Sequence, residues 1–518
     1  MNAVEKSVSK KDFMPPACAF PWQADLGDGT YRNPVLYADY SDPDVIRVGN
    51  DFYLAASSFN CTPGLPILHS KDLVNWTLIN HAVKNLPHPR YAAVQPGCGI
   101  WAPALRFHDG KFWIFFPTPD EGIYVITAKN PAAKWSEPHL VQAGKGLIDP
   151  CPLWDDDGKA YLAHAYAGSR AGIKHRLRIC PMAADGSRLL GEGQVVFHEP
   201  EKHPTIEGPK FLKKDGWYYI IAPAGGVETG WQTALRSKHI FGPYEIKIVL
   251  QQGRTAINGP HQGALVDAQN GEWWFMHFQD VGVCGRVTHL QPVSWRDGWP
   301  VMGSEGEPVL HSTKPVANQR PGSPEASDEF NSANLGLQWQ WHANHRDDWY
   351  ELGKRKGWVR LHPQVASRDE LSLIPNLLLQ KFPAQTFMVE TSLELAARQI
   401  GEQAGLIIAG ESSAALALEK TVSGTRLILQ LDGAQVVIRE HVPDAVRLRV
   451  AVQSDGLCTF SFAVVDGFSV VEQTFQARRG VWIGAKVGLY SLKTDDVAAA
   501  GHADFDYLRF MPMEASLR

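Results

Sequence analysis

The chain has 518 residues, 44% of them hydrophobic and 20% charged, with a formal net charge of −5 at pH 7. Such a length usually outgrows a single hydrophobic core, so two domains are expected. No run of Lys and Arg is present to attract nucleic acid, and no stretch approaches the 18 apolar residues of a membrane span.

Residues 1–30 read as a loose N-terminal arm that ends in the turn Asp25-Leu-Gly-Asp-Gly29. From 31 to 312 the text is strands and turns without a sustained helical period. One unit recurs there: a tight turn closed by glycine, then an aromatic or aliphatic strand. It appears as Gly49-Asn-Asp-Phe-Tyr-Leu, Asp109-Gly-Lys-Phe-Trp-Ile, Asp157-Gly-Lys-Ala-Tyr-Leu, Asp215-Gly-Trp-Tyr-Tyr-Ile and Asn270-Gly-Glu-Trp-Trp-Phe. The glycines at 49, 110, 158, 216 and 271 stand 61, 48, 58 and 55 residues apart. A period near 50 built from strands is the signature of propeller blades, five of them here. Residues 313–327 shift to Pro, Ser, Gly and Asn and read as a linker. From 328 to 518 a second all-β region follows. Val446-Arg-Leu-Arg-Val-Ala-Val452 alternates as a half-buried strand should, and Leu427–Leu431 with Asp432-Gly433 and Val436–Arg439 forms a hairpin. About ten such runs fit a β-sandwich, with no catalytic constellation of its own. The expected fold class is therefore all-β: a five-bladed β-propeller followed by a β-sandwich.

The residue before each repeated hairpin matters most. Asp42 lies seven residues ahead of its glycine; Trp101, Asp149 and Glu207 lie nine ahead; His261 lies ten ahead. In a propeller the strand that precedes such a turn starts at the central axis. These five side chains should therefore converge at one mouth of the channel, three of them acids. Asp42 and Asp149 each precede a proline, which favours an extended backbone at the acid; Glu207 precedes Gly208-Pro209. Asp44, two residues beyond Asp42 on an extended strand, points elsewhere and reads as structural. Paired carboxyls, one protonated and one ionised, are what glycoside hydrolysis requires.

At this point the motifs become specific. Asn33-Pro-Val, Ser41-Asp-Pro-Asp, Ile100-Trp-Ala-Pro103, Ile148-Asp-Pro150 and Ile206-Glu-Gly-Pro209 together resemble glycoside hydrolase family 43, closest to its β-xylosidase and α-L-arabinofuranosidase members. The likeness extends into the second region, where Asp328-Glu-Phe330 and Phe505-Asp-Tyr507 resemble the opening and close of the family's C-terminal, concanavalin-like sandwich. The resemblance implies an inverting enzyme with Asp42 as general base, Glu207 as general acid and Asp149 orienting that acid. It also implies substrate contacts from Arg286, in Cys284-Gly-Arg286, and His261. Trp101 is a sugar platform and Phe59 a pocket wall on this reading. No cofactor is required; a cation at the axial His261 is left open, with Ca²⁺ first among candidates, although one histidine without clustered carboxylates is thin support for a metal. The expected activity is release of xylose from xylo-oligosaccharides, with an α-L-arabinofuranosidase or bifunctional enzyme as the alternative and a non-catalytic carbohydrate-binding propeller as the reading from another class. Seven cysteines, an odd count with no Cys-x-x-Cys pair, suit buried reduced thiols. With no apolar stretch of leader length in the first twenty residues, the expected location is cytoplasmic. The oligomeric state has no signature in the sequence.

Overall fold

Tight turns made by Asp-Gly pairs set the architecture. Asp109-Gly110 and Asp215-Gly216 both take left-handed backbone, φ 49° and 69° and φ 50° and 71°, the geometry that joins two twisted strands without splaying them. Our computed structural model describes residues 21–317, 319–494 and 500–513; most of the arm read at 1–30 lies outside them. Five four-stranded antiparallel sheets, at residues 44–83, 104–143, 147–197, 210–251 and 261–302, form a propeller, each from strands consecutive in sequence. Apolar clusters fill the spaces between blades. Ile67, Ile100, Leu105 and Ile114 pack between the first two, and Ile148, Ala163, Phe211 and Ile220 between the third and fourth.

The ring is closed by the segment that precedes blade 1. Asn33 donates from Nδ2 to the carbonyls of Leu290 and Val309 and accepts from Leu290 N–H, and Leu36 bridges to Thr288. Strand Thr30–Arg32 pairs with His311–Thr313, so the chain enters and leaves the propeller side by side. The segment beyond is laid against blade 1. Lys314 is buried between Asp25 and Asp72, and Gly322 N–H donates to Asn75.

The C-terminal region is a sandwich of an eight-stranded and a seven-stranded sheet. Its fifteen strands exceed the ten or so visible as alternating runs, because Gln340–Trp341, Tyr350–Leu352, Val359–Leu361 and Gln364–Val365 are too short to carry a period. Strand Ala445–Val452 buries every second residue, and the hairpin turn at Asp432-Gly433 is left-handed at both residues. The sandwich core runs into the propeller, since Tyr37, Cys284 and Val287 belong to the same apolar cluster as Leu378, Phe387 and Leu489. Backbone bonds between Thr62 and Trp341 and the Asn344 side chain on both Leu86 backbone groups lock the two together. All six cysteines among the described residues are free thiols, five of them buried. No helix among those residues is long and apolar enough to cross a membrane.

Candidate active site

Asp42, Phe59, Trp101, Asp149, Glu207, His261 and Arg286 all line one cavity of about 430 Å³. Their convergence follows from the blade repeat. Blade 1 begins at Asp44, blade 2 at Ala104, blade 3 at Leu147, blade 4 at Lys210 and blade 5 at His261, so Asp42, Trp101, Asp149, Glu207 and His261 sit at or near the start of innermost strands. Phe59 comes from the loop between the second and third strands of blade 1, and Arg286 from the start of the third strand of blade 5. Two residues are aimed by bulges. Pairing of Leu147–Trp154 with its neighbour slips between Ile148 and Cys151, releasing Asp149-Pro150 from the ladder. Blade 5 slips likewise between His261 and Gly263, which turns Gln262 into the cavity.

The expected extended backbone at the two Asp-Pro acids is not what forms. Asp42 and Asp149 have φ of 54° and 56°, and Phe59 and Trp482 on the same cavity have 50° and 65°. Left-handed backbone at a non-glycine residue costs roughly 1–2 kcal/mol, and proteins tolerate it mainly where a site needs a side chain at an unusual angle. The proline still removes an N–H; at Asp149 the bulge, and at Asp42 the grip of Ser41, Ser57 and Arg286, rather than the proline's local preference, accompany the direction of the acid.

Asp42 is buried and accepts hydrogen bonds from Ser41 Oγ at 2.7 Å and Ser57 Oγ at 2.5 Å. Arg286 Nη1 stands 3.3 and 3.4 Å from its two oxygens and donates to Ser41 Oγ at 2.8 Å. That guanidinium lies over Phe278, 4.6 Å from the ring centroid, and its buried Nε has no protein partner. Asp149 accepts Gly208 N–H at 2.8 Å. Burial raises the pKa of both Asp149 and Glu207, and each is raised further by a neighbouring carboxylate: Asp149 by Asp42, Glu207 by Asp149 and then Asp42. Glu207 is the better proton holder of the two. Asp149 has the Gly208 N–H and the Gln262 side chain to favour its ionised form, whereas the neighbour of Glu207 Oε1 is His261 Nε2, 3.5 Å away. That imidazole is neutral, its pKa pulled down to about 3 by burial and then by the charge of Arg286. Neither of its ring nitrogens has a hydrogen-bond partner in the protein. Among the described residues, no group of three or more His, Cys, Asp and Glu side chains is arranged to hold a metal ion. Asp44 is structural: its Oδ2 takes Leu105 N–H and the Arg106 guanidinium, with Lys210 Nζ 3.5 Å away.

The cavity also has walls that the blade pattern does not predict. Trp482 comes from the sandwich, about 200 residues beyond Arg286, and is half exposed. Its ring is edge-on to Trp101 at 6.4 Å, and the Arg286 guanidinium lies 5.8 Å from it. The loop reaches the propeller because Gly285 and Gly484 abut. A Cβ on Gly484 would stand 2.7 Å from the carbonyl of Cys284, and one on Gly285 would stand 2.6 Å from Gly484 N. Asp39 fastens the contact, accepting from Arg286 N–H and Gly484 N–H. The other unforeseen walls are Ala167–Ser169, Gly172 and Lys174 from blade 3 and Val227 from blade 4.

Residues 31–300 match the family described as Glycosyl hydrolases family 43, and residues 327–511 match the Beta xylosidase C-terminal Concanavalin A-like domain. The chain belongs to glycosyl hydrolase family 43. It is therefore a glycoside hydrolase. A Xylanibacter ruminicola protein whose provisional name is beta-xylosidase is 41% identical over 473 residues, covering 90% of this chain and 86% of the relative. A non-reducing end alpha-L-arabinofuranosidase of Bacteroides ovatus is 31% identical over 419 residues, 75% of each chain. The crystal structure of the family 43 protein BlXynB from Bacillus licheniformis superposes with a TM-score of 0.83 at 26% identity, covering 93% of this chain and all of that one. Three carboxyls thus face one cavity, and Trp482 of the second domain forms part of its wall.

Proposed function

We propose that this family 43 enzyme is an exo-acting, inverting β-xylosidase. The observation that carries the reading is the contrast between two carboxyls on one cavity: Glu207, held protonated by burial and by Asp149, and Asp42, gripped by Arg286 and two hydroxyls. Glu207 gives its proton to the glycosidic oxygen as the bond to the anomeric carbon breaks. Asp42 takes a proton from a water that attacks that carbon from the opposite face. Asp149 keeps Glu207 protonated through its nearby charge, and Arg286 holds Asp42. Trp482 and Trp101 stand ring to ring on the cavity wall and on this reading narrow it, which favours release of one unit at a time. The 41% identical relative, named a beta-xylosidase, supports xylose as the unit released.

A second reading, α-L-arabinofuranosidase activity at the same cavity, rests on the relative of that name in Bacteroides ovatus. A panel of nitrophenyl β-D-xyloside, α-L-arabinofuranoside and β-D-glucoside separates the two. The expected order of kcat/KM is xyloside, then arabinofuranoside, with the glucoside inert; an arabinofuranoside preference would make the second reading the primary one.

A further inference from the structure

The cavity wall beside Glu207 is built from segment 167–174, and its chemistry differs from the rest. Ala167, Gly168, Ser169 and Gly172 line the space there, so no side chain larger than serine projects from that stretch. Residues Gly168–Ala171 make one helical turn, and Gly172 at φ 70° ends it and reverses the chain. That reversal brings Lys174 back over Gly168. A Cβ on Gly168 would stand 3.1 Å from Lys174 Cδ and 3.4 Å from its Cγ, so the bare glycine seats the lysine stem. Lys174 is exposed at the mouth and lines the cavity.

The other cations nearby are committed. Arg286 grips Asp42 and Ser41. Arg170 reaches Asp120 at 3.5 Å and the Gly97 carbonyl, and lies over the Trp101 ring. Lys174 has no carboxylate within ion-pairing distance among the described residues. Its charge does reach Glu207, where it lowers the pKa, against the need of an acid catalyst to stay protonated. An ammonium with no ion-pair partner among the described residues thus lines the same cavity as Glu207, close enough for its charge to be felt there, and the uncluttered wall before it leaves room for a branched sugar.

We propose that the leaving-group side accepts a xylo-oligosaccharide whose second sugar carries a uronic-acid substituent, with Lys174 Nζ donating to its carboxylate across the wall of Gly168, Ser169 and Gly172. This rests on the β-xylosidase reading. The test compares xylose release from xylotriose and from xylotriose carrying glucuronic acid on the second sugar from the non-reducing end. The wild-type enzyme should cleave both. Lys174→Ala should lower the ratio of kcat/KM on the acidic substrate to that on xylotriose by about tenfold, mainly through the KM of the acidic substrate, any change in Glu207 being common to both. Lys174→Arg should restore most of the loss, and added salt should weaken the wild type on the acidic substrate alone. No wild-type cleavage of the acidic substrate, or an equal loss on both substrates in Lys174→Ala, would overturn the proposal. Failure of the underlying reading looks different: neither xylotriose nor nitrophenyl xyloside would yield xylose, and both proposals would fall together.

Discussion

Glu207→Gln should make the protein more stable while nearly abolishing its natural activity. A free glutamate ionises near pH 4.5; Glu207 is held protonated well above that by burial and by Asp149. The sign follows from linkage. Below pH 4.5 both folded and unfolded chains carry the proton, and Glu207 makes no pH-dependent contribution. Above it only the unfolded chain releases the proton, so the folded state loses up to about 1.4 kcal/mol per pH unit until the folded pKa is reached. From pH 4.5 to 7 the ceiling is about 3 kcal/mol. The Glu207 side chain is 32% exposed, and Arg286 and Lys174 pull the pKa back, which leaves about 1–2 kcal/mol. Glutamine keeps the shape and never ionises. Thermal unfolding at pH 7 should therefore shift upward by about 2–5 °C in the propeller transition, and the gain should vanish at pH 4.5. On xylobiose the same variant should lose about 10²–10⁴-fold in kcat, and far less on a nitrophenyl xyloside, whose leaving group needs little help from an acid. A lower Tm than wild type at pH 7, a gain that persists at pH 4.5, or equal losses on the two substrates would refute the assignment.

Asp149→Asn removes a charge that raises the pKa of Glu207, so the basic limb of the kcat/KM–pH profile should move to lower pH; a limb that stays put would mean Asp149 acts only by position. Trp482→Ala should change stability by less than about 1 kcal/mol, because the ring is half exposed, yet cost about three- to tenfold in kcat/KM on xylobiose; an unaltered constant would remove Trp482 from the sugar's path.

The fold and the acids were legible because a propeller repeats. Asp109-Gly110 and Asp215-Gly216 are local turns with a fixed backbone need, and counting back from them reaches Trp101 and Glu207 without any knowledge of tertiary contacts. Asp149 and His261 followed by the same count, although the bulges that aim Asp149 and Gln262 left no trace beyond a proline and a glycine. The left-handed backbone at Asp42 ran against the preference of a residue before proline, because packing at the axis outweighs a local bias. Trp482 was out of reach. Its only marks are glycines 480 and 484 on either side, and its place depends on two domains meeting at Gly285 and Gly484. Lys174 was equally hidden: one lysine in a basic loop, whose position over Gly168 depends on the turn at Gly172. The short sandwich strands carried too few residues to show a period.

The central claim is that Asp42 activates water while Glu207 protonates the leaving oxygen, with no covalent bond between sugar and enzyme. Proton NMR of the first sugar released from an aryl β-xyloside tests it most directly. Attack by water on the face opposite the leaving group predicts that α-xylose appears first and mutarotates to the β-anomer. Initial appearance of β-xylose would contradict the account, making Asp42 a nucleophile rather than a base.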